Sequence, residues 1–278
     1  MNVVVADHAG TCYGVQRALD LANDQAGSTS RVQTFGPLIH NPTVVARLNE
    51  QSITVAESLD DIDADTVIIR SHGVEPSVRE ALESIKVDVV DATCPHVLRA
   101  QKAAYELARS GLLVVVVGER EHPEVRALCA WAVHGGGDYV VVSCLEEIPD
   151  DLPSTVGVVV QTTQHRHLLE DVLQELERRC VVAQVRDTIC SATTNRQSSA
   201  LELSGNVECM VVVGGRNSSN TRRLFELCSE AAPFAVLVES PDELDRSLFE
   251  GIDIVGVTAG ASTPDDQIEA VVDCLRSW

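Results

Sequence analysis

The sequence predicts an α/β fold built as three small, pseudo-three-fold-related domains with parallel sheets. Three observations predict it. Short runs rich in Val and Ile alternate with stretches of helical apolar spacing, the pattern of strands joined by crossover helices. Three cysteines, Cys12, Cys94 and Cys190, each stand between such a run and such a helix. The residues that follow them repeat the same order of features in each third of the chain.

In the first third, Val3-Val4-Val5 reads as a strand, and Cys12 opens a helix carrying Val15, Ala18, Leu19 and Ala22 that stops near Gly27. A strand from Val32 ends in a Gly-containing turn at His40, and Val44 to Leu48 is helical. Ile53-Thr54-Val55 is a short strand before acidic Glu57. A further strand ends at Ser71-His72-Gly73, with Pro76 placed in the first turn of the next helix.

The middle third opens on Val87 to Val90, an apolar run that reads as a buried parallel strand and closes on Asp91-Ala92-Thr93-Cys94-Pro95. Val97, Leu98, Ala104, Leu107 and Ala108 then recur at helical spacing up to Gly111. Val114 to Val117 leads to a turn at His122 and a helix from Val125 to Trp131. Val140 to Val142 precedes Glu146, and the following strand ends at Thr162-Thr163-Gln164.

The last third repeats the series. Val181 to Val185 leads to Cys190 and a helix around Leu201 and Leu203. Met210 to Val213 leads to Ser218 and a helix around Leu224 to Leu227. Val236 to Val238 precedes Glu239, and a strand end at Gly260-Ala261-Ser262 is followed by Pro264 in a helical first turn. The same interval separates Cys12 from His40, Cys94 from His122 and Cys190 from Ser218. The expected domains are 13–93, 94–189 and 190–278, the last completed by the N-terminal strand within 1–12.

Composition narrows the function. Forty-two acidic against 21 basic residues give a net charge of −21, with Lys86 and Lys102 the only lysines. No basic cluster suits a nucleic acid or a membrane surface, so neither is expected as a partner. Neither a signal peptide nor a membrane-spanning run is visible. Nine cysteines without a Cys-x-x-Cys pair point to a reducing, cytoplasmic setting. Cys129, Cys144, Cys209, Cys228 and Cys274 read as small core residues.

Parallel sheets gather ligands outside their strand C-terminal ends. Three facing units would bring Cys12, Cys94 and Cys190 together with His40, His72, His122, Glu124, Thr162, Thr163, Ser218, Ser219, Asn220 and Ser262. Three converging thiolates suit an iron–sulfur cluster with one iron left open. A zinc site with three Cys and one His is the competitor, though structural zinc sites favour close Cys pairs. Inert core thiols are the third reading. Asn217-Ser218-Ser219-Asn220 opens a helix with hydroxyls, amides and free N–H groups, as anion sites do.

The segments Thr11-Cys12-Tyr13-Gly14-Val15, His40-Asn41, Ser71-His72-Gly73-Val74, Asp91-Ala92-Thr93-Cys94-Pro95 and His122-Pro123-Glu124 resemble the LytB/IspH family of 4-hydroxy-3-methylbut-2-enyl diphosphate reductases. So do Gln161-Thr162-Thr163, the stretch Asp187 to Gln197, Asn217-Ser218-Ser219-Asn220 and Thr258-Ala259-Gly260-Ala261-Ser262. The likeness runs from residue 3 to about residue 265. Two departures flank the His122 turn: Gly118-Glu119 where the family commonly reads Gly-His, and Val125-Arg126-Ala127-Leu128 where a glycine is usual.

The resemblance implies a trefoil of three α/β domains around a central 4Fe–4S cluster, one per chain, held by Cys12, Cys94 and Cys190. It implies reductive dehydroxylation of the allylic diphosphate to isopentenyl and dimethylallyl diphosphate, the last step of the methylerythritol phosphate route to isoprenoids. His40, His72, Ser218, Asn220 and Ser262 would hold the diphosphate, with His122, Thr163 and Ser219 close by. Glu124, with Thr162, would deliver a proton, and burial among negative groups would favour its acid form. Electrons would come from a donor such as ferredoxin or flavodoxin, docking on a basic patch drawn from Arg17, Arg99, Arg222 or Arg223. Two alternatives share these residues: a reductase of another allylic substrate, and a non-catalytic cluster-based redox sensor.

Overall fold

The structure, a computed structural model, describes residues 1–27 and 31–278. In chain order the elements are β1 (Asn2–Val5), α1 (Tyr13–Ala26), β2 (Val32–Phe35), α2 (Pro42–Glu50), β3 (Ile53–Ala56), β4 (Thr66–Ile69) and α3 (Pro76–Ser84). Then come β5 (Asp88–Asp91), α4 (Pro95–Arg109), β6 (Leu113–Val117), α5 (Pro123–His134), β7 (Tyr139–Val142), β8 (Thr155–Val160) and α6 (Arg166–Arg178). The chain ends with β9 (Val182–Arg186), α7 (Ser191–Ser204), β10 (Cys209–Val213), α8 (Ser219–Ala231), β11 (Ala235–Val238), β12 (Ile254–Ala259) and α9 (Asp265–Arg276). Among the described residues no helix is long and apolar enough to cross a membrane.

Three four-stranded sheets result, with orders β3-β2-β4-β5, β7-β6-β8-β9 and β1-β12-β10-β11, every pairing parallel. The third is the other two read from its opposite edge, with β1 in the place of β5 and β9. The chain therefore begins on the sheet that it finishes, Val3 lying opposite Val255 and Val5 opposite Val257. The two central strands of each sheet are buried almost throughout because helices cover both faces, which is why they read as continuous Val/Ile runs.

The described residues form two compact units. One comprises Met1–Gln16, His40–Val44 and Ser191–Trp278. On one face of its sheet Val211, Val213, Val255 and Val257 pack with Ile268, Val271 and Leu275 of α9. On the other, Met210 and Val212 pack with Ala200 of α7 and with Leu224 and Cys228 of α8. The second unit, Arg17–Ile39 and Val45–Cys190, holds the other two sheets. Val114 and Val116 meet α4 and α5 through Ala104, Leu107, Leu128 and Ala132, while Val158 and Val160 meet Leu169, Val172 and Leu176 of α6. Full burial of one such Leu or Val contributes about 1.5–3 kcal/mol. Gly157 of β8 lets α4 approach: a Cβ there would lie 2.9 Å from the Leu107 side chain.

Four expectations need correction. The Val87–Val90 run is not a buried strand: β5 sits at a sheet edge with β4 as its one neighbour, and Val89 and Val90 stay half-exposed. The strands before the other two site cysteines, β1 and β9, are edges as well, and Val182 is 61% exposed. Cys144 is exposed rather than in the core, and Cys274 only half-buried. β7 stops at Val142, and Cys144 stands just before a short 3-10 helix, Leu145–Glu147, as Ser58 and Ser240 stand before Leu59–Asp61 and Pro241–Glu243. Pro264 is the cap residue of α9 rather than part of its first turn, whereas Pro76 does open α3.

Candidate active site

The three cysteine turns share one main-chain hydrogen bond. The N–H of Cys12 donates to the Ala261 carbonyl at 3.1 Å, that of Cys94 to Ser71 at 3.0 Å and that of Cys190 to Thr162 at 3.0 Å. Each bond ties an edge-strand turn to the turn after the neighbouring strand. It also sets the equivalence of the repeats: Ser71, Thr162 and Ala261 correspond, so Ser262 matches His72 and Thr163. Cys94 and Cys190 follow matching Asx turns, in which Asp91 Oδ1 accepts from Thr93 N at 2.9 Å and Asp187 Oδ1 from Ile189 N at 3.1 Å. Arg17 braces the Cys94 turn by donating to the carbonyls of Asp91 and Thr93 at 3.2 and 3.3 Å.

All three cysteines are partly exposed, and each immediately precedes a helix. Cys129, Cys209 and Cys228 differ. They are buried, and loss of solvation pushes their thiols up to about 12, about 12 and about 11. Thiols of that kind do not serve as ligands or nucleophiles near neutrality. Burial thus separates Cys12, Cys94 and Cys190 from the inert core thiols of Cys129, Cys209 and Cys228.

In the second unit the acid stands where the sequence put it. Glu124, in the first turn of α5, is 1% exposed. One of its carboxylate oxygens accepts from Thr162 N at 2.6 Å and the other from Thr162 Oγ1 at 2.8 Å. His122 caps α5, its Nδ1 accepting from Glu124 N at 3.1 Å, and its ring lies edge-on to His72 with centroids 5.4 Å apart. Gln161, absent from the expected site, accepts from Glu119 N at 2.9 Å and donates to Thr163 Oγ1 at 3.1 Å. It is wholly buried, and its signal was only a polar residue at the end of an apolar run.

The first unit holds the hydroxyl-rich turns. Ser218 caps α8, accepting from Thr221 N at 3.4 Å, and Ser218, Ser219, Asn220 and Ser262 are all buried. Asn220 Nδ2 is a buried donor with no hydrogen-bond partner, an unmet demand that a ligand oxygen would satisfy. Ser262 Oγ donates to the His40 carbonyl at 3.1 Å. Arg196, 4% exposed on α7, donates to the Gly10 carbonyl at 2.5 Å and so steadies the turn before Cys12. Nothing in its spacing pointed to that role. Arg223 is only 5% exposed because it faces inward on α8, so it is not part of a docking patch; Arg99 and Arg222 are exposed.

Parallel sheets with accessible cysteines, a buried acid and a polar helix start at their strand ends are the equipment of an α/β enzyme. The chain belongs to the LytB protein family, whose match covers residues 3–276. Among curated relatives, the 4-hydroxy-3-methylbut-2-enyl diphosphate reductase of Pelobacter propionicus is 45% identical over 98% of this chain and 96% of its own length. That of Aquifex aeolicus is 41% identical over 98% and 94%. A solved structure of (E)-4-hydroxy-3-methyl-but-2-enyl diphosphate reductase, the terminal enzyme of the non-mevalonate pathway, is 40% identical with a TM-score of 0.74 over all of both chains. The Plasmodium falciparum E-1-hydroxy-2-methyl-but-2-enyl-4-diphosphate reductase, 24% identical, shares the fold with a TM-score of 0.92 over 99% of this chain and 87% of its own.

Proposed function

We propose that the chain catalyses the reaction for which its relatives are named. It would reduce (E)-4-hydroxy-3-methylbut-2-enyl diphosphate to isopentenyl and dimethylallyl diphosphate, the last step of the methylerythritol phosphate route. In balance, the allylic C–O bond breaks, two electrons and one proton enter the carbon skeleton, and the hydroxyl leaves with a second proton as water. The observation that carries the reading is the part played by Thr162. Its N–H and hydroxyl hold the Glu124 carboxylate, while its carbonyl accepts from the N–H of Cys190. An acid and a prospective metal ligand are thereby fixed by one residue.

Cys12, Cys94 and Cys190 would hold one 4Fe–4S cluster per chain. The donor set fits: three accessible thiols on equivalent strand-to-helix turns, unlike Cys129, Cys209 and Cys228, which are buried and inert. When bound, the cluster would supply a Lewis-acidic iron and a path for electrons. The remaining work falls to the chain. Asn220, Ser218, Ser262, His40 and His72 would bind the diphosphate, with His122, Thr163 and Ser219 beside them. Glu124 would give up a proton to the departing hydroxyl. Thr162 Oγ1 can donate to the carboxylate or accept from the carboxylic acid, so the pair can hold that proton in either state.

The reading places the protein in the cytoplasm, with ferredoxin or flavodoxin as donor, and divides it into domains 13–93, 94–189 and 190–278, with 1–12 joined to the last. The test is an anaerobic assay with the pure allylic diphosphate and a reduced viologen dye. Substrate-dependent dye oxidation with formation of the two five-carbon diphosphates is expected. Protein with full iron and sulfide that leaves the dye reduced would overturn the reading.

A further inference from the structure

Asn41 lies in no position that touches the reaction as described, yet its side chain uses its whole hydrogen-bonding capacity. It is 1% exposed. Its Oδ1 accepts from Thr43 N at 3.0 Å and Val44 N at 3.3 Å, capping α2. Its Nδ2 donates to the Ser262 carbonyl at 2.8 Å and to Gln267 Oε1 at 3.0 Å. The neighbours fix which way the amide points, because backbone N–H groups can only donate and a carbonyl can only accept. Gln267 in turn donates through Nε2 to the Glu239 carbonyl, so the chain of bonds runs on to the end of β11.

The surroundings of this amide are those of the anion-binding turns. Ser262, whose carbonyl Asn41 holds, returns a bond from its hydroxyl to the carbonyl of His40. A Cβ on Gly215 would lie 3.0 Å from the same His40 carbonyl, so the turn before Ser218 closes against it. The segment His40–Val44 belongs to the first compact unit although the residues on both sides of it belong to the second. Asn41 supplies two of the side-chain bonds that fasten it there, and the Ser262 hydroxyl a third.

We infer that Asn41, supported by Gln267, is a positioning residue for the diphosphate: it locks the His40 turn to the Ser262 turn in the arrangement that receives phosphate oxygens. This rests on the anion-site reading above. The cap and the clamp are separable, since Ser and Asp cap helices about as well as Asn. Asn41→Ser keeps an acceptor for α2 but removes both donors to Ser262 and Gln267. Asn41→Asp also keeps the cap and sets a second acceptor against two acceptors.

The experiment titrates inorganic pyrophosphate into the full-chain holoenzyme and measures kcat and KM for the allylic diphosphate. Asn220→Ala serves as comparator. Asn41→Ser is expected to raise the pyrophosphate Kd and the substrate KM about ten-fold, with kcat within about three-fold and iron content unchanged. Asn41→Asp should raise them further and recover in part as pH falls and the new carboxyl takes up a proton. Gln267→Met, which leaves Asn41 and its cap in place, should shift Kd and KM in the same direction by less, and it decides the matter if the Asn41 variants fold poorly. Parental Kd and KM in Asn41→Ser and Gln267→Met, alongside weakened binding in Asn220→Ala, would overturn the inference alone. A parent protein that binds no pyrophosphate would overturn it together with the anion site.

Discussion

At the scale of the residue, Glu124 is held more tightly than a helix-start carboxylate requires. A solvated acid in the first turn gains only the modest attraction of the helix dipole. Glu124 is instead buried, with both oxygens bonded to Thr162. Gln fits the same place: its carbonyl oxygen can accept from Thr162 N, and its amide can donate to Thr162 Oγ1. Glu124→Gln should therefore preserve fold, iron content and pyrophosphate affinity. Turnover should fall by about 10²–10⁴, the usual cost of losing a general acid; parental turnover would remove Glu124 from the chemistry. The cysteines separate in the same manner. Serine at Cys12, Cys94 or Cys190 should abolish the broad visible absorbance and most of the iron and sulfide, because a hydroxyl is a poor ligand for a cluster. Serine at exposed Cys144 should change neither.

At the scale of the element, the start of α8 depends on what is missing beside it. Thr221 reaches the turns after β10 and β12 because Gly214 and Gly260 have no side chains there. A Cβ on Gly260 would fall 2.1 Å from Thr221 Oγ1. Gly260→Ala should cost about 1–3 kcal/mol through overpacking. It should also weaken pyrophosphate binding, since Thr221 N is bonded to Ser218 Oγ. Adding Thr221→Ala should restore much of the melting temperature; no recovery would place the strain elsewhere. These elements were largely legible in the sequence. Central strands announced themselves as Val runs, and the constant interval from Cys12, Cys94 and Cys190 found the three helix starts. Edge strands were not legible, because the side chains of Val87 to Val90 do not report how many neighbours a strand has. Buried polar braces such as Asn41, Gln161 and Arg196 escaped for a related reason: their meaning lies in main-chain groups far away in sequence.

At the scale of the whole molecule, the unusual composition bears on how the protein fails. Most chains titrate many lysines and tyrosines in alkali, but this one has 3 Tyr and only Lys86 and Lys102. The buried thiols of Cys129, Cys209 and Cys228 then weigh heavily. In the unfolded chain a thiol loses its proton near pH 8.5–9. In the folded protein desolvation defers that loss to about 12, about 12 and about 11. Between those limits the native state binds more protons than the unfolded state, so stability falls as pH rises. The contribution is fully present below about pH 8.5, declines from there toward about pH 12, and adds to the repulsion of a chain already at −21. Melting temperature measured on the cluster-free protein should therefore be level from pH 7 to 8.5 and drop steadily above it. Cys209→Ala and Cys228→Ala together should lower the melting temperature at pH 7, by leaving small cavities, yet flatten its decline between pH 9 and 11. A double variant that declines as steeply as the parent would show that alkaline unfolding is driven by the acidic surface and not by the thiols of the core.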